Sequence, residues 1–357
     1  MRVLIIGGGN IGMLMAAEIS YNGHQVTVYT QKADKCDSNI EVLDSADNLL
    51  FKSPVITFTN ELNETTLDSD VIFITYPPYM FEKIADQIKQ YIDVIHTIGI
   101  IPGSGGAEFA FGDFIKKGVC LFGFQRVHSI ARIKDYGKSV YMLGRKSEVQ
   151  IAAIPSAKTN DICIINCELL NMKCVPLPNY LSVTLVPSNP ILHTSRLYSM
   201  FKDYKHGIVY PGNILFYEEW DDDSSDTMLS CDNELQELCD VIPLDLTNIH
   251  SLMQHYESFD SVSMTNKIKN ITAFRGLPSP MVKQESGWIP DFSSRYFKAD
   301  FSYGLKIIKD IAGLFNVSTP CIEKIWNWYF NICNDNNLQA FKLNMSKNDF
   351  IQLYNES

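Results

Sequence analysis

The first thirty residues alternate between apolar runs and breaks in the manner of a βαβ unit. Val3-Leu4-Ile5-Ile6 is wholly apolar, as expected of a strand covered on both faces. From Ile11 to Tyr21 the spacing becomes helical, with Ile11, Leu14, Met15 and Ile19 on one side, and Asn22-Gly23 ends the helix. Gln25 to Tyr29 supplies the second strand. Further strands are predicted at Val55–Phe58, Val71–Thr75, Ile95–Ile101 and Val119–Phe124, with a helix over Tyr79–Tyr91 and another opened by Gly103-Ser104-Gly105-Gly106. Strands alternating with helices predict a doubly wound, mostly parallel sheet. After Pro178 the pattern changes. Long segments carry helical spacing, such as Leu305, Ile308, Ile311, Ala312 and Phe315, and no strand is predicted. The expectation is an α/β Rossmann-type domain over residues 1–178 and an all-α domain over 179–357.

Gly7, Gly9 and Gly12 lie between the first strand and the first helix. A G-x-G-x-x-G run in that setting is a dinucleotide fingerprint. Its glycines allow a tight turn, close approach of a pyrophosphate and close packing of helix on strand, with the helix N-terminus facing the phosphates. Gly7, Gly9, Asn10, Ile11 and Gly12 are therefore candidate cofactor contacts. The ribose is read at the end of the second strand, where a carboxylate selects NAD. Here the chain reads Tyr29-Thr30-Gln31-Lys32, so Thr30, Gln31 and Lys32 favour the 2′-phosphate of NADP over NAD. The alternative is an ordinary solvated Lys32, with Asp34 or a backbone group at the ribose. Tyr76 and Pro77 end a strand on the same edge and are further cofactor candidates. Arg132, beyond another strand, either binds a carboxylate or pairs with Asp135.

Composition narrows the function. The 357 residues carry a formal net charge of −11, which excludes most nucleic-acid and anionic-membrane binding. The acidity is local: 13 acidic residues and no Lys or Arg lie between His206 and Asn266, chiefly a solvated face. The nine cysteines include no Cys-x-x-Cys pair, so free buried thiols in a reducing, cytoplasmic setting are expected rather than a metal site. The longest uncharged run, Val175–Ser195, holds four prolines and is not a membrane span. No signal peptide is expected ahead of the strand at Val3.

In the second half, Ser188-Asn189-Pro190-Ile191-Leu192-His193 reads as a helix start, with Asn189 at the N-cap and Pro190 as first helical residue. The helix dipole disfavours an imidazolium at His193, and a neighbouring carboxylate would oppose that influence, as suits an acid/base catalyst. Arg295 and Asp300 flank the next constellation, Arg-Tyr-Phe-Lys-Ala-Asp. Arg295 offers a planar fork to a substrate carboxylate. Asp300 either caps the helix that follows or orients His193.

These pieces together resemble the octopine/nopaline (opine) dehydrogenase family: the Gly7–Gly12 fingerprint, Pro102-Gly103-Ser104-Gly105-Gly106, Asn189 with His193, Phe216-Tyr217-Glu218-Glu219, and Arg295 with Asp300 in Arg-Tyr-Phe-Lys-Ala-Asp-Phe-Ser-Tyr-Gly-Leu. The resemblance runs over nearly the whole chain. It implies a helical domain like that of 6-phosphogluconate dehydrogenase, an active site in the cleft between domains, and reductive condensation of an amino acid with an α-keto acid through an imine. It assigns His193 as acid/base, Asp300 as its partner and Arg295 to a substrate carboxylate; Asn189 and Arg132 are further substrate-binding candidates, and no metal is expected. A homodimer is compatible with the sequence. The rival expectations are a keto-acid reductase of the ketopantoate reductase or β-hydroxyacid dehydrogenase type, and a non-catalytic dinucleotide sensor. The former resemble each other in using a catalytic lysine, and none occurs from Pro187 to Phe201.

Overall fold

The computed structural model describes residues 1–333 and 338–355. Contacts divide the chain into Met1–Thr184 with Ile351–Ser357, and Leu185–Phe350. The expected division was at 178/179 with the C-terminus in the helical half. In the structure the chain returns to the N-terminal unit at its end.

The described strands of the N-terminal unit begin with β1 (Arg2–Ile6), β2 (Gln25–Tyr29), β3 (Glu41–Leu43), β4 (Leu49–Lys52), β5 (Thr57–Thr59), β6 (Val71–Ile74) and β7 (Thr97–Ile100). It continues through β8 (Cys120–Phe124), β9 (Ser129–Asp135), β10 (Ser139–Arg145), β11 (Glu148–Ile154) and β12 (Lys173–Pro176). The main sheet has the order β12-β11-β8-β7-β6-β1-β2-β5. Its central strands are parallel, and β11 runs antiparallel to β8. Leu4, Ile5, Ile6, Ile72, Phe73 and Ile74 are fully buried, which explains their unbroken apolar runs. Winding reverses beside β1, so the carboxyl ends of β1 and β6 form the switch point where such sheets take ligands. Helix α1 (Asn10–Tyr21) starts there.

A second sheet, β4-β3-β10-β9, was not foreseen. Its strands are short or carry charges on alternate residues, as in Ser129–Asp135, so they lack the continuous apolar signal of β1 and β6. The Asn10 side chain accepts a hydrogen bond from the Ile133 backbone N–H at 2.9 Å, tying β9 to α1. Lower on α1, Glu18 is buried against His128 Nε2 at 2.5 Å and Arg145 Nε at 3.1 Å. Burial alone would raise its carboxyl, but those hydrogen bonds outweigh it and hold the group below its usual range.

The C-terminal unit is mainly helical, with Thr194–Phe201, Asp222–Val241, Ser261–Asn270, Lys306–Phe315 and Pro320–Cys333 as its longer helices. The stripe read at Leu305, Ile308, Ile311, Ala312 and Phe315 is buried. One expectation fails: β13 (Met281–Gln284) and β14 (Gly287–Pro290) form a hairpin here. Three of the four residues in β13 are exposed, so its side chains gave no core signal. The acidic stretch is also not wholly a solvated face. Asp232 accepts from the Leu252 N–H, and Glu234 accepts from the N–H groups of Cys321 and Ile322, capping the helix at Pro320. The nine cysteines are free, but only Cys163 and Cys231 are fully buried. No helix among the described residues is long and apolar enough to cross a membrane.

Glu108, just after the Gly103–Gly106 loop, is buried within the N-terminal unit and accepts hydrogen bonds from the Thr184 and Tyr354 hydroxyls. Burial raises its carboxyl to about 7, although both hydroxyls act in the opposite sense. The folded protein thus holds a proton that the unfolded chain releases near the ordinary carboxyl range, so stability falls as pH rises from about 4.5 to about 7. Glu108→Gln keeps both acceptor bonds and removes that slope. Urea unfolding at pH 8 should show the variant more stable than wild type, by at most about 3 kcal/mol, with the difference vanishing near pH 4.

Candidate active site

The cofactor fingerprint forms as its residues require. Gly7 has φ +128°, and its carbonyl accepts from the Thr75 hydroxyl at 3.0 Å. A Cβ on Gly12 would lie 1.8 Å from the Gly7 carbonyl oxygen, so only glycine lets α1 approach β1 this closely. Beside Gly9, by contrast, a Cβ would meet nothing within 4 Å. Gly9 is the N-cap of α1, and no side chain caps the helix. The first-turn N–H groups are left without a side-chain cap, as an anion-binding helix start requires. Ile11 is half-buried and packs on the core. Tyr76 closes over Gly7, with Pro77 capping the next turn.

At the end of β2, Thr30 is buried and shares a hydrogen bond of 2.6 Å with the Tyr136 hydroxyl. Lys32 Nζ lies 5.0 Å from the centre of the Tyr136 ring. Gln31 turns back, its Nε2 donating to the Tyr29 hydroxyl at 2.7 Å. No carboxylate is on Thr30, and Asp34 is exposed on the following turn. Arg132 lies exposed in β9, where Nη1 donates to the Ala131 carbonyl at 2.8 Å. The alternative ion pair with Asp135 is not formed; that carboxylate accepts from the Ser139 hydroxyl at 3.3 Å.

The second constellation lies in the C-terminal unit, on two π-helical segments, Ser188–His193 and Phe301–Leu305. A Cβ on Gly304 would come 3.1 Å from Pro190, so this glycine lets the two segments pack closely. Their contact brings His193 Nδ1 to 2.8 Å from Asp300 Oδ2. His193 Nε2 is 3.0 Å from the Tyr217 hydroxyl. His193 is 8% exposed, and the rings of Tyr296, Phe216 and Tyr217 stand around it. Asp300 occupies the N-cap of its segment but makes no side-chain cap, leaving the carboxylate to the imidazole. Asn189 is not the N-cap that its neighbours suggested. The turn starts at Pro187, whose preset φ of −76° already suits a helix, and Asn189 is exposed one residue inside. Arg295 is exposed at the start of the short helix Arg295–Lys298.

Residues 176–333 match the family described as NAD/NADP octopine/nopaline dehydrogenase, alpha-helical domain. Over these residues the chain carries the helical domain of the octopine/nopaline dehydrogenases. Residues 2–95 also match a family described as NADP oxidoreductase, coenzyme F420-dependent. Octopine dehydrogenase of Pecten maximus is 25% identical, covering 92% of this chain and 89% of its own length. Tauropine dehydrogenase of Arabella iricolor is also 25% identical, with 91% and 89% covered. The fold is that of octopine dehydrogenase solved with NADH and L-arginine, at a TM-score of 0.80 and 22% identity over 93% of this chain and 89% of that one.

Three residues of this octopine dehydrogenase-like chain carry structure that the sequence reading gave no role. Tyr136 reaches Thr30 at the end of β2 from the turn between β9 and β10 of the second sheet. Tyr217 belonged to a recognised motif, but nothing in its spacing placed it on His193. Arg196, one turn past His193, is 1% exposed. It donates to the carbonyls of Phe216 at 3.0 Å and Glu219 at 2.6 Å and to the Ser224 hydroxyl at 3.0 Å. An arginine in a helix normally reads as solvated, so only the fold reveals it. Arg196→Met should lower unfolding free energy by roughly 3 kcal/mol or more, since two buried carbonyls lose their donor at about 1–3 kcal/mol each. Chemical denaturation measures this; an unchanged midpoint would show that the carbonyls find other partners.

Proposed function

We propose that the protein is an NAD(P)H-dependent opine dehydrogenase that joins the amine of an amino acid to an α-keto acid. The observation that carries the reading is the pairing of the buried His193 with the half-buried Asp300 within the matched helical domain. A carboxylate only accepts, so Asp300 fixes the proton on Nδ1 and leaves the Nε2 lone pair as a base. His193 takes a proton from the amino acid's ammonium, and the freed amine attacks the keto carbon. The imidazolium, stabilised by Asp300, then returns the proton to the departing hydroxyl, and an imine forms. The nicotinamide supplies the hydride that reduces the imine carbon. Arg295 holds a substrate carboxylate through its two-pronged guanidinium, with Asn189 and Arg132 as further polar contacts to substrate.

The experiment is NADPH oxidation with pyruvate or 2-oxoglutarate, with and without a pool of amino acids. Turnover should require both substrates, and His193→Ala should lose about 10²–10⁴-fold in kcat while retaining cofactor binding. Turnover with the keto acid alone favours a simple reductase, and near-normal kcat in the variant removes His193 from the mechanism.

The cofactor preference assigned to this chain is NADP. Thr30 and Lys32 stand where other dinucleotide sites place a carboxylate, and Lys32 supplies positive charge beside Tyr136. Gln31 contributes less, being held by Tyr29. Gly7, Gly9, Asn10, Ile11 and Gly12 cradle the pyrophosphate, with Tyr76 and Pro77 beside them. Thr30→Asp would accept from Tyr136 and from a ribose 2′-hydroxyl but repel a 2′-phosphate. It should shift the ratio of kcat/KM for NADPH over NADH downward by at least tenfold, measured by initial rates; an unchanged ratio places the ribose elsewhere.

A further inference from the structure

We propose that Tyr217 is a catalytic residue that relays the proton between His193 and the reacting oxygen of the substrate, an inference that rests on the opine-dehydrogenase reading. Both ring nitrogens of His193 are occupied. Nδ1 faces Asp300 at 2.8 Å, and Nε2 faces the Tyr217 hydroxyl at 3.0 Å. With the proton on Nδ1, Nε2 is an acceptor, so Tyr217 donates to it. The nitrogen that must handle protons is therefore reached through a phenol.

That phenol is held independently of the histidine. Its ring stacks on Phe274 at 4.1 Å and on Trp220 at 6.3 Å, and meets Phe216 edge-on at 4.8 Å. Tyr217 is 6% exposed, and burial, with the neighbouring Tyr296, Tyr256 and Asp300, raises its hydroxyl well above the usual phenol range. It stays protonated, as a relay requires. Arg196 fixes the same stretch by gripping the Phe216 and Glu219 carbonyls.

The step balances. In dehydration of the carbinolamine, the imidazolium gives its Nε2 proton to the Tyr217 oxygen while Tyr217 gives its own proton to the substrate hydroxyl. The C–O bond breaks with its electron pair on oxygen, water leaves, and the nitrogen lone pair forms the C=N bond. Tyr217 ends neutral, and His193 ends with Nε2 free to accept again.

Tyr217→Phe keeps the ring and its stacking but removes the hydroxyl. Turnover is measured with NADPH, pyruvate and a mixture of the common amino acids, alongside wild type and His193→Ala, with NADPH binding followed by fluorescence. Tyr217→Phe should bind NADPH normally and lose about 10–100-fold in kcat. In single turnovers, the dependence of rate on deuterium content should be curved for wild type, with two protons in flight, and linear for Tyr217→Phe. A purely structural role would leave that dependence unchanged. Tyr217→Phe with kcat within twofold of wild type, while His193→Ala is inactive, overturns the relay alone. Full activity in His193→Ala, or no turnover by wild type, overturns the parent reading and the relay with it. If Tyr217→Phe does not fold, 3-fluorotyrosine at position 217 preserves shape and makes the hydroxyl more acidic. The single-turnover rate then changes while NADPH binding does not, and an unchanged rate overturns the relay.

Discussion

The helical half of the molecule is organised around a buried cation. Arg196 sits on the helix that continues from His193 and has lost nearly all contact with water. A buried guanidinium is tolerable only when its donors are satisfied. Here they are met by the Phe216 and Glu219 carbonyls and the Ser224 hydroxyl, with Asp221 3.4 Å away and the Trp220 ring against its face. Those partners all belong to one stretch, residues 216–224. Satisfying Arg196 therefore fixes the backbone that presents Tyr217. The same helix segment presents His193, so one desolvated charge sets the geometry of both.

Asp300 resolves a competition that the sequence leaves open. At the start of a helix, an aspartate can cap backbone N–H groups or serve a more distant partner. The helical turn after Asp300 is widened into a π form, in which the Leu305 N–H reaches the Asp300 carbonyl at 2.8 Å. The side chain is left to His193. Widened turns of this kind recur at functional sites, and here they occur on both segments that carry the pair. The energetic cost of two irregular segments buys alignment of a carboxylate, an imidazole and a phenol.

Much of this was legible in the chain. The unbroken apolar runs of β1 and β6 and the spacing of Gly7, Gly9 and Gly12 mark the parallel sheet and the helix that opens on it, because buried parallel strands and close helix approach leave strong local signals. His193 and Asp300 were legible through their resemblance to a family motif. The second sheet was not, since β9 alternates charged and apolar residues. Nor was the hairpin β13–β14, which buries little. Arg196 and Tyr217 escaped for a different reason: their roles depend on partners about twenty residues away, and no local pattern encodes which buried polar groups will meet. The same holds for Tyr136, which reaches Thr30 from more than a hundred residues away.

The proposed chemistry requires Asp300 to hold His193 as the Nδ1-protonated tautomer, with its Nε2 lone pair turned toward Tyr217. Selective ¹⁵N labelling of histidine, with His193 assigned by its loss in His193→Gln, reads the tautomer directly at a pH where the ring is neutral. The expected result is a proton on Nδ1, hydrogen-bonded to a carboxylate, and a switch to the other tautomer or a mixture in Asp300→Ala. A proton on Nε2 in the wild-type protein would contradict it.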